Sequence, residues 1–194
     1  METVSVTEEK RINKSKAAIP LLWVSIVAMV MIFASLTSAY VVSRGKGYWL
    51  TFELPQLFYI STAIIMMSSV TMNWTLASAK KNNYKNIKIA SLMTFLLGFA
   101  FVVCQFKAWG YLVEQKIFFA GKTSSASGSY LYAITGLHLV HLFFGMVALL
   151  VVWVKSLLHR YNSENLLGIR LCATFWHFLD VLWIYLFLFL LFIR

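Results

Sequence analysis

Residues 171–193 read LCATFWHFLDVLWIYLFLFLLFI, a run that contains no Lys or Arg and has Asp180 as its one acid. A helix rises about 1.5 Å per residue, so a run of this length can cross the roughly 30 Å hydrocarbon core of a bilayer. Four further runs are long, apolar and nearly free of charge, at residues 19–42, 54–79, 89–106 and 130–154. The sequence therefore predicts an all-α integral membrane bundle of five transmembrane helices.

The composition of the whole chain also indicates a membrane protein. Of its 194 residues, 60% are hydrophobic and 12% are charged, which leaves more apolar surface than a soluble domain of this size can bury. We expect a polar cytoplasmic tail at residues 1–17 and a single transmembrane domain at residues 18–194. Its helices are predicted at about residues 19–42, 54–79, 88–114, 130–157 and 168–193.

The formal net charge of +10 is distributed unevenly between the two sides of the predicted bundle. Eleven Lys and Arg residues fall in the tail and in the second and fourth loops: Lys10, Arg11, Lys14, Lys16, Lys80, Lys81, Lys85, Lys88, Lys155, Arg160 and Arg170. Five fall on the opposite side: Arg44, Lys46, Lys116, Lys122 and Arg194. The positive-inside rule then predicts a cytoplasmic amino terminus and a periplasmic carboxyl terminus. Nucleic acid is not an expected partner, because the chain has no aqueous domain to carry a basic face.

Two of the predicted helices carry stripes of small and hydroxyl side chains, which favour close helix packing in membranes. The stripes comprise Ser25, Ala28, Ser35 and Ala39 in helix one and Ser61, Ser68, Thr71, Thr75 and Ser78 in helix two. We expect both faces to pack against other helices. A polar pathway for protons or a substrate is the alternative.

The fourth span contains GLHLVHLFFG at residues 136–145. A helical step of 100° places His138, His141 and Gly145 on one narrow face. Gly136 and Gly145 are predicted to be helix-packing positions, because small residues let another helix approach closely.

The fifth span contains FWHFLDVLW at residues 175–183. His177 precedes Asp180 by three residues, so its imidazole can donate a hydrogen bond to the carboxylate one turn away. Trp176 and Trp183 flank the acid, and their indole N–H groups can reach carbonyls, lipid phosphates or esters. Because ionisable groups are costly in hydrocarbon, we expect these side chains and the two histidines of helix four to form a structural or lipid-binding polar network.

A metal or haem site is the first alternative for these residues. A bis-histidine haem needs an imidazole on each side of the porphyrin, whereas His138 and His141 project from the same helix face. Cys104 and Cys172 lie in separate spans without ligand spacing, so no metal is expected in this chain. A transporter is the second alternative, but five helices do not divide into equal repeats, and Pro20 and Pro55 lie at predicted helix starts.

Both motifs resemble those of one known family. Its GxHxxHxxxG and WHFxDxxW helices are matched by Gly136, His138, His141 and Gly145 and by Trp176, His177, Phe178, Asp180 and Trp183. The chain is similar to subunit III of the haem-copper respiratory oxidases, in its short bacterial five-helix form.

The resemblance implies a subunit with no haem, copper or catalytic residue of its own. Its implied partners are the catalytic haem-copper subunit I, subunit II, further respiratory subunits and phospholipids held in a V-shaped cleft between helix groups. The implied complex reduces oxygen to water and pumps protons across a bacterial inner membrane during aerobic respiration, and subunit III supports its assembly, proton uptake and turnover stability. Cytochrome c is preferred to quinol as the electron donor, and an unrelated small transporter is the remaining alternative.

Two positions depart from the family pattern. Where many members have an acid three residues after a glutamine of helix three, this chain has Gln105 followed by Ala108. Arg170 stands in the place of another acid, shortly before the WHF motif. No proton-handling role of those carboxylates carries over to this chain.

Overall fold

The computed structural model describes residues 2–45, 54–119, 125–158 and 166–193, with residues 2–16 described as backbone only. These residues form five α-helices: α1 (Glu2–Arg44), α2 (Gln56–Lys80), α3 (Tyr84–Glu114), α4 (Ala126–Leu157) and α5 (Leu167–Phe192). Each described helix contains a segment long and apolar enough to cross a membrane. The all-α transmembrane fold predicted from the sequence is confirmed.

The first helix is longer than its apolar span. The span of α1 is Ala17–Arg44, but the helix begins at Glu2 and so includes most of the predicted polar tail. Residues 8–11 read EEKR, a combination of good helix formers with no Gly or Pro to end the helix. Pro20 therefore lies inside α1, and the prediction that it marks a helix start was wrong.

The orientation of the bundle in the membrane stays a prediction. Several of the cations that support it lie outside the described residues, namely Lys46, Lys122, Arg160 and Arg194, and the side chains of the tail cations are not described either.

Helices α2, α3, α4 and α5 form a closed ring, which we call the helix ring. Each contacts the next along the chain, and α5 returns to contact α2. A three-residue turn makes α2 and α3 antiparallel neighbours: Asn82 adopts φ 53°, a left-handed conformation that Asn tolerates, and the Asn83 carboxamide accepts a hydrogen bond from the backbone N–H of Asn86.

Helix α1 packs on the outside of the helix ring. Among the described residues it contacts α4 and α5 but neither α2 nor α3. Tyr185 of α5 donates a hydrogen bond to Thr37 (3.2 Å), and Arg44 donates one to the carbonyl oxygen of Ile193 (2.8 Å). The described helices are thus joined into one bundle. The V-shaped cleft that the family resemblance implies stays a prediction.

The two predicted packing stripes differ in their placement. In α2, Ser61, Ser68, Thr75 and Ser78 are buried as predicted. In α1, by contrast, Ser25, Ala28 and Ser35 are exposed, and the buried residues are Ile26, Met29, Phe33, Thr37 and Tyr40. The prediction for α1 was wrong because the larger side chains provide more contact area against α4 and α5. The exposed serine hydroxyls donate to carbonyl oxygens of their own helix instead.

Glycines set the spacing between α3, α4 and α5. A Cβ added to Gly98 of α3 would lie 2.8 Å from the Trp176 indole, and one added to Gly145 of α4 would lie 3.0 Å from Leu179. Gly145 is therefore a packing position, as predicted. Gly136 is less constrained, because its nearest neighbour would be the Trp109 ring at an ordinary 3.7 Å.

Gly98→Ala should lower the melting temperature of the detergent-solubilised protein. Its new Cβ displaces a buried indole, and overpacking of this kind costs about 1–3 kcal/mol. Gly110→Ala is the matched control in the same helix, because nothing lies within 4 Å of its added Cβ. Alanine is the better helix former, so the control should keep or raise the melting temperature. Equal melting temperatures for the two variants would contradict this packing.

Candidate functional site: the polar core of the helix ring

Two tryptophans of the WHFxDxxW motif connect α5 to α2 in the interior of the helix ring. The indole N–H of Trp176 donates to the hydroxyl of Ser68, and that of Trp183 donates to the hydroxyl of Thr62, both at 3.0 Å. Both tryptophan side chains are completely buried. The indole donors are therefore paired with hydroxyls inside the protein and do not reach lipid phosphates or esters.

His177 also connects α5 to α2, at the outer edge of the same helix contact. Its Nδ1 lies 2.8 Å from the Ser69 hydroxyl, and its Nε2 lies 3.1 Å from the Asn73 carboxamide oxygen. The imidazole is 30% exposed, so this edge of the ring has a polar outer surface.

The expected hydrogen bond between His177 and Asp180 is not formed. The Nδ1 atom lies 3.8 Å from the nearer carboxylate oxygen, too far for a hydrogen bond, because the Ser69 hydroxyl occupies the closer position. Asp180 is 3% exposed, and neither carboxylate oxygen has a hydrogen-bond partner among the described residues. A buried carboxylate without a hydrogen bond is costly, so Asp180 is energetically the least favourable group of the site.

The two histidines of α4 have different surroundings. His138 is fully buried, and neither ring nitrogen has a hydrogen-bond partner in the described part of the chain. Its ring packs 5.1 Å from Trp183 and 6.1 Å from Phe101, centroid to centroid. His141 is half-buried. Its Nδ1 atom lies 2.8 Å from the carbonyl oxygen of Leu137 in the same helix, and its ring contacts Phe33 of α1. The expected α4–α5 network therefore consists of ring packing, and the hydrogen bonds run from α5 to α2.

A further buried polar group belongs to α3. The Gln105 carboxamide donates to the Ser61 hydroxyl of α2 at 2.9 Å, and its oxygen has no partner among the described residues. Ala108, in the place of the family's acid, is fully buried one turn away. The core between α2 and α3 thus has an amide but no carboxylate.

The sequence reasoning missed three α2 side chains of the site. Thr62, Ser69 and Asn73 all accept or exchange hydrogen bonds with α5. They are spaced i, i+7 and i+11, which places them on one helix face. That spacing could have identified them. Their face of α2, however, lies next to the more obvious stripe of serine and threonine residues.

Metal ligation has no geometric support in the described residues. They contain no group of three or more His, Cys, Asp or Glu side chains close enough to hold a metal ion. His138 and His141 pack against different helices, and Cys104 and Cys172 are free thiols.

The sequence model of a family described as cytochrome c oxidase subunit III matches residues 21–193. The chain belongs to this family. In this structure Trp176, His177 and Trp183 of the α5 motif lie at the contact between α5 and α2.

The similar proteins are subunits of two kinds of oxidase, named for cytochrome c and for ubiquinol as the electron donor. Cytochrome c oxidase subunit 3 of Drosophila yakuba is 33% identical over 137 residues, which cover 71% of this chain and 49% of that protein. Cytochrome bo(3) ubiquinol oxidase subunit 3 of Buchnera aphidicola is 30% identical over 174 residues, covering 87% of this chain and 89% of that protein. The corresponding subunit of Pseudomonas aeruginosa is 30% identical over 168 residues, which cover 84% of this chain and 78% of that protein. The chain thus spans about half the length of the cytochrome c oxidase relatives and most of the ubiquinol oxidase relatives.

The bond between Trp176 and Ser68 should be measurable as a coupling energy. The variants Trp176→Phe, Ser68→Ala and the double variant form a thermodynamic cycle in which the lost indole volume cancels. Interhelical hydrogen bonds in membranes contribute about 0.6–1.7 kcal/mol, and we expect a coupling in that range from unfolding in mixed micelles. A coupling near zero would show that the two groups do not stabilise each other.

His138→Leu should leave the free energy of unfolding unchanged or raise it by about 1–2 kcal/mol. The substitution removes a buried group with no partner in the described residues, and such groups cost energy. His141→Leu is the comparison, because it removes a hydrogen-bonded imidazole from the same helix face and should lower stability slightly. The same unfolding assay applies. A loss above about 1 kcal/mol in His138→Leu would mean that the imidazole has a partner.

Proposed function

We propose that this chain is the non-redox subunit III of a proton-pumping terminal oxidase in aerobic respiratory electron transport. Its membership of the subunit III family is the basis of the proposal. One observation supports the non-redox role: the indoles of the WHFxDxxW motif and its imidazole bond to hydroxyl and amide groups of α2. These side chains hold helices together and are not arranged around a common point as ligands would be.

Within the complex, the proposed role of the chain is to support assembly, proton uptake and turnover stability of the catalytic subunit. Haems and copper are assigned to the partner subunits I and II, and no cofactor is assigned to this chain. The closely packed interior of the helix ring supports an assembly role, because a preformed surface lowers the entropic cost of binding a partner. The support for proton uptake comes from the family alone.

Bound phospholipid is part of the proposal, but through apolar contact. Of the six residues proposed for lipid binding or structure, His138, Trp176, Trp183 and Asp180 are buried, and this favours the structural role for them. Large apolar side chains cover the outside of the bundle, for example Val24, Phe144 and Phe192. Acyl chains fit such a surface. We place the protein in a bacterial inner membrane on the strength of its bacterial relatives.

Two electron donors are candidates for the complex. The motif resemblance and the family description support cytochrome c, our first choice. A quinol is the second candidate, and a specific observation favours it: the two ubiquinol oxidase relatives are covered over 78–89% of their length. Native purification followed by oxygen-consumption assays with reduced cytochrome c and with a quinol separates the two. Purification without any haem-bearing polypeptide would refute the proposal as a whole.

Asp180→Ala should shorten the turnover lifetime of the assembled oxidase and lower retention of this chain. The carboxyl group lies buried beside the α2–α5 hydrogen bonds, and a methyl group leaves a cavity next to them. Val140→Ala on α4 is the control, because Val140 is half exposed on the outside of the bundle and takes no part in the α2–α5 contact. Subunit stoichiometry, lipid content and the decay of oxygen consumption are the measurements. If both variants decay at the rate of the unsubstituted enzyme, Asp180 has no part in turnover stability.

A further inference from the structure

The outer surface of α5 is uncovered between α1 and α2. Both helices contact α5, but they do not contact each other in the described part of the chain. A strip of exposed α5 residues lies between them: Arg170, Thr174, Val181 and Leu188. On the α2 side the strip is bordered by Met66, Val70 and Asn73, which are also exposed. We call this surface the α5 groove.

The α5 groove has a polar group that lipid tails cannot satisfy. Asn73 is exposed, and its carboxamide oxygen lies against His177 Nε2. With the oxygen accepting from the imidazole, the two N–H donors of the carboxamide remain for a further partner on this exposed surface. Unsatisfied donors in hydrocarbon cost several kcal/mol each, so an acceptor is expected opposite Asn73.

The depth of Asn73 and His177 argues against a lipid headgroup as that acceptor. Asn73 lies seven residues before the end of α2, and His177 lies ten residues after the start of α5. At the helical rise these positions are roughly 10 Å and 15 Å from the helix ends, whereas each helix exceeds the hydrocarbon thickness by only a few ångströms at either end. Both groups therefore lie below the level of lipid phosphates.

The shape and chemistry of the groove suit a helix. Val70 and Val181 are 69% and 66% exposed, and their short side chains together with Thr174 let a neighbouring backbone come close. Met66 is flexible enough to adapt to the contact.

We infer that the α5 groove binds a transmembrane helix of a partner polypeptide, which presents a hydrogen-bond acceptor to the Asn73 carboxamide. The partner is a subunit of the oxidase, and this part of the inference rests on the proposed function. The groove itself rests on the contacts, exposure and depth given above.

Site-specific photo-crosslinking in native membranes tests the groove directly. A benzophenone amino acid replaces Val70 or Val181, which lie on its two sides and take no part in the hydrogen bonds. Mass spectrometry of the adducts should identify one membrane-spanning segment of another polypeptide at both positions. Phe144, exposed on α4, serves as a reference position for lipid adducts.

Each result has a defined meaning. Lipid adducts alone at Val70 and Val181 would overturn the inference, as would adducts to two unrelated polypeptides. A shared segment that belongs to a haem-bearing oxidase supports both the groove and the proposed function. A shared segment in a protein unrelated to any oxidase would support the groove and refute the proposed function.

Substitution of Asn73 provides an independent test, because a bound helix and bound lipid predict opposite effects on the retention of this chain. If a helix binds there, Asn73→Leu should weaken retention of this chain in the purified complex roughly threefold to tenfold, the effect of one interhelical hydrogen bond. If lipid covers the site, the same substitution removes an exposed polar group and should leave retention unchanged or improve it. Asn73→Gln retains the donor and should restore binding. Ser69→Ala removes the other bond to His177 without changing the surface, and it should have the smaller effect.

Discussion

The structure depends on one constraint: a polar side chain inside a bilayer needs a hydrogen-bond partner within the protein, because lipid tails offer none. Among the bonds that join different helices, the largest group runs between α5 and α2. Two buried indoles and one imidazole of α5 meet hydroxyl or amide groups of α2 at 2.8–3.1 Å. Helix α2 follows α1 in the chain but packs against α3 and α5, so these contacts close the helix ring.

The length and number of the spans could be predicted from the sequence because hydrocarbon thickness and helical rise fix them independently of packing. The partners of the polar groups could not. Helical spacing correctly placed His177 one turn from Asp180, but it had no information on Ser69, which comes from another helix and lies closer to the imidazole. The stripe of α1 failed for the same reason: periodicity identifies a face without identifying what it meets.

Four buried side chains of the described part of the ring have polar atoms without a hydrogen bond: His138 and Ser156 of α4, Asp180 of α5 and Gln105 of α3. Unsatisfied groups reduce the stability of a membrane bundle, so packing alone would favour apolar residues at these positions. Such groups are expected in a protein that functions within a larger assembly, because the stability of the separate chain is then not the only requirement on its sequence.

The family motif of α5 is explained by the number of neighbours that this helix has. Trp176 lies against Gly98 of α3 and bonds to α2, and Trp183 contacts Phe101 of α3 and His138 of α4 while bonding to α2. Tyr185 bonds to α1. A helix with so many neighbours tolerates few substitutions, because each large side chain must fit several surfaces at once. A recognisable sequence pattern in such a helix can therefore arise from packing, without any chemical reaction at its residues.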